Sequence, residues 1–372
     1  MTFCIITHVP HGYHANKYFA YAPYVREINI WSKYVDRIVL VAPLQLQKIT
    51  PIEINYTSSA IDFHEVNSFN FLSLKAIFSS LVELPKVVFK IYFAMKAADH
   101  IHLRCPGNMG LLGCMVQVFF PSKSKTAKYA GNWDLKSRQP LSYRLQKWIL
   151  SNTFLTKNIN VLVYGEWENS SKNIKPFFTA SYYNSDKTEI KIRSLKSKIS
   201  FLFVGTLSNG KQPLYAIQLV ERIYHKGFDV QLNLYGEGQE RLQLEKYISD
   251  KKLESFVFLQ GNQNQKTVKE AYLNNHFVIL PSMSEGWPKV VAEGMFWGCL
   301  PIATSVSCVP NMLDNGNRGL LLTLDIKDDV KKIMALINDE SLYYSKTKNA
   351  VLWSRNYTLD VFEEEIKTIL QS

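Results

Sequence analysis

Short β-rich runs separated by longer helical stretches recur along the whole chain, and this alternation most constrains the fold. In the first half the runs are FCIIT, RIVLVAP, HIHLR and VLVYG, with the longest helical stretch from Leu72 to Ala98. In the second half they are ISFLFVG, VQLNLYG, FVFLQG, HFVILPS and CLPIAT, separated by helical segments near Pro213–His225, Gln239–Asp250, Thr267–Asn274 and Pro288–Trp297. Such alternation builds doubly wound parallel sheets. At 372 residues the chain exceeds one ordinary core, so two domains are expected. The polar, Lys/Ser-rich stretch Tyr183–Lys198 separates the halves. The expected domains are therefore 1–185 and 186–372, with a last helix at about 358–371 a candidate to pack back on the first domain. The predicted class is α/β, two Rossmann-like lobes facing across a cleft, with ligands beyond the carboxyl ends of the strands.

Composition narrows the function. A hydrophobic fraction of 47% and a charged fraction of 20% belong to globular chains. Five cysteines form no CxxC pair and are odd in number, which favours a reducing compartment and argues against zinc. The opening MTFCIITHVPHG reads as a strand and loop, not a leader. The apolar stretch near Leu111–Phe120 is about half of the ~20 residues that span a bilayer. A cytoplasmic protein is expected. The net charge of +11 calls for an anionic partner. Much of it lies between Lys123 and Lys157, where eight basic residues meet one acid, Asp134.

The segment HFVILPSMSEGWPKVVAEGMFWGCLPIAT carries the most chemistry: strand, loop with Glu285, helix with Glu293, strand. Pro288 fits the first helical position and Gly298 the turn that ends the helix. Gly286, Trp287, Pro288 and Lys289 then form a helix start at a strand's carboxyl end, where the dipole stabilises a phosphate. Glu285 and Glu293 flank it, and a carboxylate accepts two hydrogen bonds side by side, as vicinal sugar hydroxyls supply.

SEGWPKVVAE resembles the E-x7-E motif of the retaining glycosyltransferases of family 4, of the GT-B fold, including those of bacterial polysaccharide synthesis. The resemblance extends through FVGTLSNGKQP, LYGEGQERLQLE and SVSCVPNMLDNGNRGLLL, most of the second half. It implies that Glu285 lies by the transferred sugar, that Glu293 holds the ribose hydroxyls, and that Lys211 neutralises the diphosphate. Gly205 and Thr206 stand where the family's first loop meets the donor, but Thr206 replaces a frequent arginine, which leaves Lys289 or Arg318 as substitutes. Pro288 replaces a glycine and has no N–H to offer.

In the first half, ADHIHLRCPGN resembles the family's strand and loop that bring a histidine to the donor. The equivalent position is Arg104, able to bind phosphate but not to act as a base. His102 is expected to be a packed strand residue. The loop HVPHGYHANK stands where the family has a glycine-bearing loop near the phosphates and acceptor, which implies that Gly12 permits close backbone approach there, while His8, His11 and His14 are expected to be exposed. Asn132, Trp133 and Asp134 are weak acceptor-contact candidates. YGEG lacks the third glycine of a dinucleotide loop, and Asp325, Asp328 and Asp329 suit a helix start better than a metal.

The expected function is retaining transfer of a hexose-type sugar from a nucleotide-sugar to a glycan or lipid-linked acceptor, with no cofactor and no metal. Two alternatives stay open: an epimerase of the same fold, and a non-enzymatic anion or nucleic-acid binder. Base-stacking aromatics are not interleaved with the basic run, which disfavours nucleic acid. That run, together with FNFLSLKAIFSSLVELPKVVFKIYFAMK, suggests peripheral contact with an anionic membrane at the cell's inner face.

Overall fold

A computed structural model describes residues 1–45, 49–67 and 74–371, with only the backbone for 74–82. Of the aromatic stretch just quoted, Phe69, Phe71 and Lys75 lie outside the described residues or side chains. The chain divides into two compact units: Met1–Phe178 with the chain end from Glu363, and Thr179–Phe362.

Unit 1 contains strands β1 (Thr2–Ile6), β2 (His11–His14), β3 (Lys17–Tyr21), β4 (Arg37–Pro43), β5 (Glu53–Asn55), β6 (Ile61–Val66), β7 (His100–Cys105), β8 (Ser124–Tyr129), β9 (Ile159–Tyr164) and β10 (Ile174–Phe177). Its longer helices are α1 (Ala22–Trp31), α2 (Leu74–Ala97), α3 (Asn108–Val116) and α4 (Leu141–Ser151). Seven strands form a sheet in the order β10-β9-β8-β7-β1-β4-β6, every pairing parallel. The strand order reverses between β1 and β7, and α2, α3 and α4 share one apolar core against the sheet.

Unit 2 contains β11 (Ile199–Val204), α5 (Pro213–Tyr224), β12 (Val230–Tyr235), α6 (Arg241–Lys251), β13 (Val257–Gly261), α7 (Gln265–Asn274), β14 (Phe277–Leu280), α8 (Lys289–Phe296), β15 (Leu300–Thr304), α9 (Val309–Met312), β16 (Leu320–Leu322), α10 (Ile326–Ile337) and α11 (Glu340–Ser354). The final helix, α12 (Leu359–Gln371), begins in unit 2 and continues into unit 1. The sheet order is β13-β12-β11-β14-β15-β16, again parallel throughout. Numbered within the unit this is 3-2-1-4-5-6, so the switch point falls between β11 and β14. Apolar runs become buried strands because helices cover both faces: Phe201, Leu202 and Phe203 are fully buried.

Four expectations change. HVPHGYHANK is a hairpin, not a loop: β2 and β3 pair antiparallel, and β5 adds a third strand. His11 is fully buried there, held by the Val9 carbonyl and the Tyr56 hydroxyl at 2.7 Å each, and burial pulls its pKa down to about 4. Tyr183–Lys198 is no free linker, because it belongs to unit 2 and the Arg193 guanidinium ties it to the carbonyls of Leu273 and Asn275. The basic run is the largest change. Lys125, Lys128 and Lys147 point inward, with Lys125 Nζ on the Phe120 carbonyl (2.6 Å) and Lys147 Nζ on that of Asp134 (3.0 Å). Lys123 is half-buried and donates to the Lys96 and Ala98 carbonyls, so half of the run is not a surface charge.

Candidate functional site

Two loops flank the switch point of unit 2. The loop after β11 runs from Gly205 to Gln212, where a left-handed residue (φ 51°) turns the chain into Pro213 of α5. Its path fixes the YGEG glycines. A Cβ on Gly236 would stand 1.9 Å from the Gly205 carbonyl oxygen, and one on Gly238 would stand 2.3 Å from that of Leu207. YGEG is thus a crossing of two backbones, sealed by Gly205 N–H to Tyr235 O (2.9 Å) and Leu207 N–H to Glu237 O (3.0 Å). Thr206 is exposed on this loop.

The loop after β14 carries Glu285 and is joined to the first by Met283 N–H to Gly210 O at 2.9 Å. Lys211 Nζ meets Glu285 Oε1 at 2.5 Å. The Glu285 side chain is nearly buried, 8% exposed, whereas that of Lys211 is 32% exposed. A cation open to solvent is therefore held against a carboxylate that is not. The Gly286 carbonyl accepts from the thiol of Cys308 (3.0 Å) and the hydroxyl of Ser307 (3.3 Å), which fixes the loop before α8.

Pro288 caps α8 and is not its first residue: it sits in extended geometry (φ −72°, ψ 93°), and its carbonyl accepts from Val291 N–H at 3.0 Å. Trp287 is packed, its ring 5.2 Å from Tyr357 and 6.1 Å from Trp353. Arg318 stacks over Trp353 (5.1 Å) and donates to the Asn311 and Met312 carbonyls, so its charge is committed at the end of α9. Lys289 borders a small cleft with Ser181, Tyr182, Glu293 and Tyr357. Glu293 accepts from the Ser181 and Tyr272 hydroxyls, the latter at 3.1 Å. Burial, with the Glu293 carboxylate nearby, holds the Tyr272 phenol well above its ordinary pKa, so it stays a donor. Neither partner of Glu293 had a sequence signal. Asp325 caps α10, accepting from the N–H groups of Lys327 and Asp328, while buried Asp329 accepts from the Tyr215 hydroxyl at 2.6 Å.

At the switch point of unit 1, Arg104 lies near the end of β7 and is 15% exposed, its Nη1 3.3 Å from Glu27 Oε1. Lys128 Nζ reaches the same oxygen at 2.9 Å, both side chains almost wholly buried. Two cations thus share one carboxylate. Lys128 is flanked by Tyr164 and Phe177 and also donates to the Phe178 carbonyl. The available signal was a lysine inside the buried-strand run SKTAKY, which reads as surface charge unless β8 is known to be central. His102 packs in the core between Phe3 and Trp31, and burial pulls its pKa down to about 3. A Cβ on Gly12 would enter the Phe19 ring at 2.1 Å, so ring packing already demands that glycine. Asn132 and Asp134 serve their own turn, accepting from the N–H groups of Asp134 and Lys136, and Trp133 is buried against Tyr129.

The architecture of two parallel-sheet units is the GT-B fold. It superposes over all of this chain on sucrose-phosphate synthase from Thermosynechococcus elongatus, covering 98% of that chain, with a TM-score of 0.71 at 15% identity. It does so equally on Anabaena HepE in complex with UDP and glucose, covering 99% of that chain, with a TM-score of 0.71 at 13% identity. Residues 185–353 match the family of glycosyl transferases group 1. An uncharacterized glycosyltransferase of Haemophilus influenzae is 30% identical over 184 residues, 48% of this chain and 51% of that relative. The alpha-D-kanosaminyltransferase of Streptomyces kanamyceticus is 25% identical over 173 residues, 45% of this chain and 44% of the relative. This chain spans about half the length of these relatives.

Proposed function

We propose that the chain is a retaining glycosyltransferase, moving a hexose-type sugar from a nucleotide-sugar to a glycan or lipid-linked acceptor in cell-surface polysaccharide synthesis. One observation carries the reading. The two loops that flank the unit 2 switch point bring together a solvent-open lysine and a nearly buried glutamate, within the stretch that matches the group 1 family. HepE, with UDP and glucose bound, supports a nucleotide-sugar donor.

In this reading Lys211 and the start of α8 at Gly286–Lys289 neutralise the departing diphosphate, with Gly205, Thr206 and Trp287 shaping its seat. Glu285 orients and stabilises the transferred sugar. The bond from the anomeric carbon to the phosphate oxygen breaks, the acceptor oxygen bonds to that carbon on the same face, and the acceptor proton passes to the leaving phosphate. No protein base is required. A cytoplasmic, peripheral placement at the membrane's inner face fits a lipid-linked acceptor. The primary test is a thermal-shift screen with UDP- and GDP-sugars, followed by turnover with and without acceptor. A donor that stabilises the protein and is consumed only with acceptor supports transfer. Conversion of donor alone identifies an epimerase, and no stabilisation by any donor ends the reading.

Glu293, on α8, is assigned the ribose hydroxyls. Its two carboxylate oxygens accept from the Ser181 and Tyr272 hydroxyls, one each, which supports an acceptor role toward vicinal hydroxyls. Glu293→Gln is expected to weaken UDP binding about tenfold or more, since hydrogen bonds to a charged acceptor contribute roughly 1.5–3 kcal/mol. Calorimetric titration with UDP decides, and equal affinities of variant and parent would remove the assignment.

Turnover is expected to be unchanged in EDTA, because fixed cations take the leaving-group role of a metal and the chain contains no Asp-x-Asp sequence. Activity lost to EDTA and restored by magnesium or manganese would reverse this.

A further inference from the structure

We propose that unit 1 docks on an anionic lipid surface through the outer face of its α2–α3–α4 helix layer, with α4 lying in the headgroup region. The sequence pointed to the run from Lys123 to Lys157, but the buried lysines remove much of that basis. The exposed side chains identify a different surface.

Helix α4 buries Gln146, Lys147, Ile149 and Leu150 and turns Leu141, Leu145 and Trp148 outward. These three stand at i, i+4 and i+7, one stripe of a helix. Leu141 is 78% exposed and Trp148 is 58% exposed, where a soluble helix ordinarily places charge. Phe154, just past the helix, is 78% exposed and has Lys157 Nζ over its ring at 5.6 Å. On α2 of the same layer Phe89 and Phe93 are also exposed, their rings 4.6 Å apart.

Charge selects the partner. Lys136, Arg138, Arg144 and Lys157 are exposed around the α4 stripe, and from Leu135 to Gly165 the chain contains no acidic residue. Exposed Lys86, Lys90 and Lys96 accompany Phe89 and Phe93 on α2. Apolar side chains with Trp among them, rimmed by lysine and arginine, are the pattern of a helix lying in a bilayer interface. A second copy of the chain fits poorly, because a two-fold contact on α4 would press Lys136, Arg138, Arg144 and Lys157 on one another across a segment, Leu135 to Gly165, that supplies no carboxylate. Acyl chains take the leucines and aromatics, and lipid phosphates take the cations. The proposal gives the peripheral placement its surface and stands on unit 1 alone. Failure of docking leaves transfer to a soluble acceptor untouched, and failure of transfer leaves docking untouched.

The test is co-sedimentation with vesicles of phosphatidylcholine alone and with an equal part of phosphatidylglycerol. Binding is expected only with the anionic lipid and should weaken as salt is added. Leu145→Glu/Trp148→Glu should abolish it. Arg144→Gln and Lys157→Gln should each lower the partition coefficient about fivefold, as expected for one exposed cation near such a surface. All four changes are at exposed positions, and an unchanged melting temperature together with unchanged nucleotide binding by unit 2 separates lost docking from lost folding. Three results would overturn the proposal: no sedimentation with anionic vesicles at low salt, sedimentation unaffected by the α4 changes, or a concentration-dependent dimer in solution that Trp148→Glu dissociates.

Discussion

Lys211→Ala is expected to cut turnover a hundredfold or more while changing donor affinity much less. The reason lies in when its charge is wanted. Before reaction Lys211 is matched to Glu285, its Nζ 2.5 Å from Oε1. In the proposed transfer, negative charge accumulates beyond the sheet as the diphosphate departs, and a preorganised cation there would stabilise the transition state more than the bound donor. Loss of one such group typically costs 10²–10³ in turnover, about 2.7–4 kcal/mol. Removing the lysine also strands the nearly buried Glu285 carboxylate beside an anionic donor. Lys211→Arg separates charge from shape: it retains the cation but spreads it over a planar fork, so partial activity is expected. Single-turnover rates with the donor chosen by the screen are the measurement. Turnover unchanged in Lys211→Ala would pass the role to Lys289, since Arg318 is already committed to the end of α9.

Much of the fold was legible because parallel sheets write themselves as continuous apolar runs. ISFLFVG, VQLNLYG and HFVILPS are β11, β12 and β14, and helices began within about two residues of the expected starts at Pro213, Gln239, Thr267 and Pro288. The hairpin of β2 and β3 was hidden because HGYHANKYFAY turns on Ala15 and Asn16 with no glycine there and has no long apolar run, and its third strand, β5, lies far along the chain. Lys125, Lys128 and Lys147 were misread as surface because a lysine's charge is visible in sequence while its depth is not. Their ammonium groups are held inside by backbone carbonyls and by Glu27, partners that spacing does not reveal. Glu285 and Glu293 are nominated by local strand–loop–helix context. Ser181 and Tyr272 come from before β11 and from α7, and only tertiary packing brings them to Glu293.

Glu27→Ala is expected to destabilise unit 1 by about 3–5 kcal/mol, the usual effect of removing one partner from a buried ion pair. Glu27 is 3% exposed, and one of its oxygens faces both Lys128 Nζ at 2.9 Å and Arg104 Nη1 at 3.3 Å. Burial opposes the Arg104 charge, but the Glu27 carboxylate together with the Tyr164 and Tyr24 phenols outweighs it, and the guanidinium pKa is raised. Without Glu27, Lys128 loses the carboxylate beside its fully buried ammonium, and neutral contacts such as the Phe178 carbonyl and the faces of Tyr164 and Phe177 compensate a buried charge poorly. Replacing a buried charge by an apolar side chain of similar length removes the desolvation cost, so Lys128→Met added to Glu27→Ala should recover part of the loss. Arg104, the more exposed of the two cations, can turn to water. Urea denaturation followed through a unit 1 signal gives the energies, and the cycle isolates the coupling between Glu27 and Lys128. A Glu27→Ala variant as stable as the parent would mean that both cations are satisfied without it, and that the carboxylate does not hold Arg104 at the unit 1 switch point.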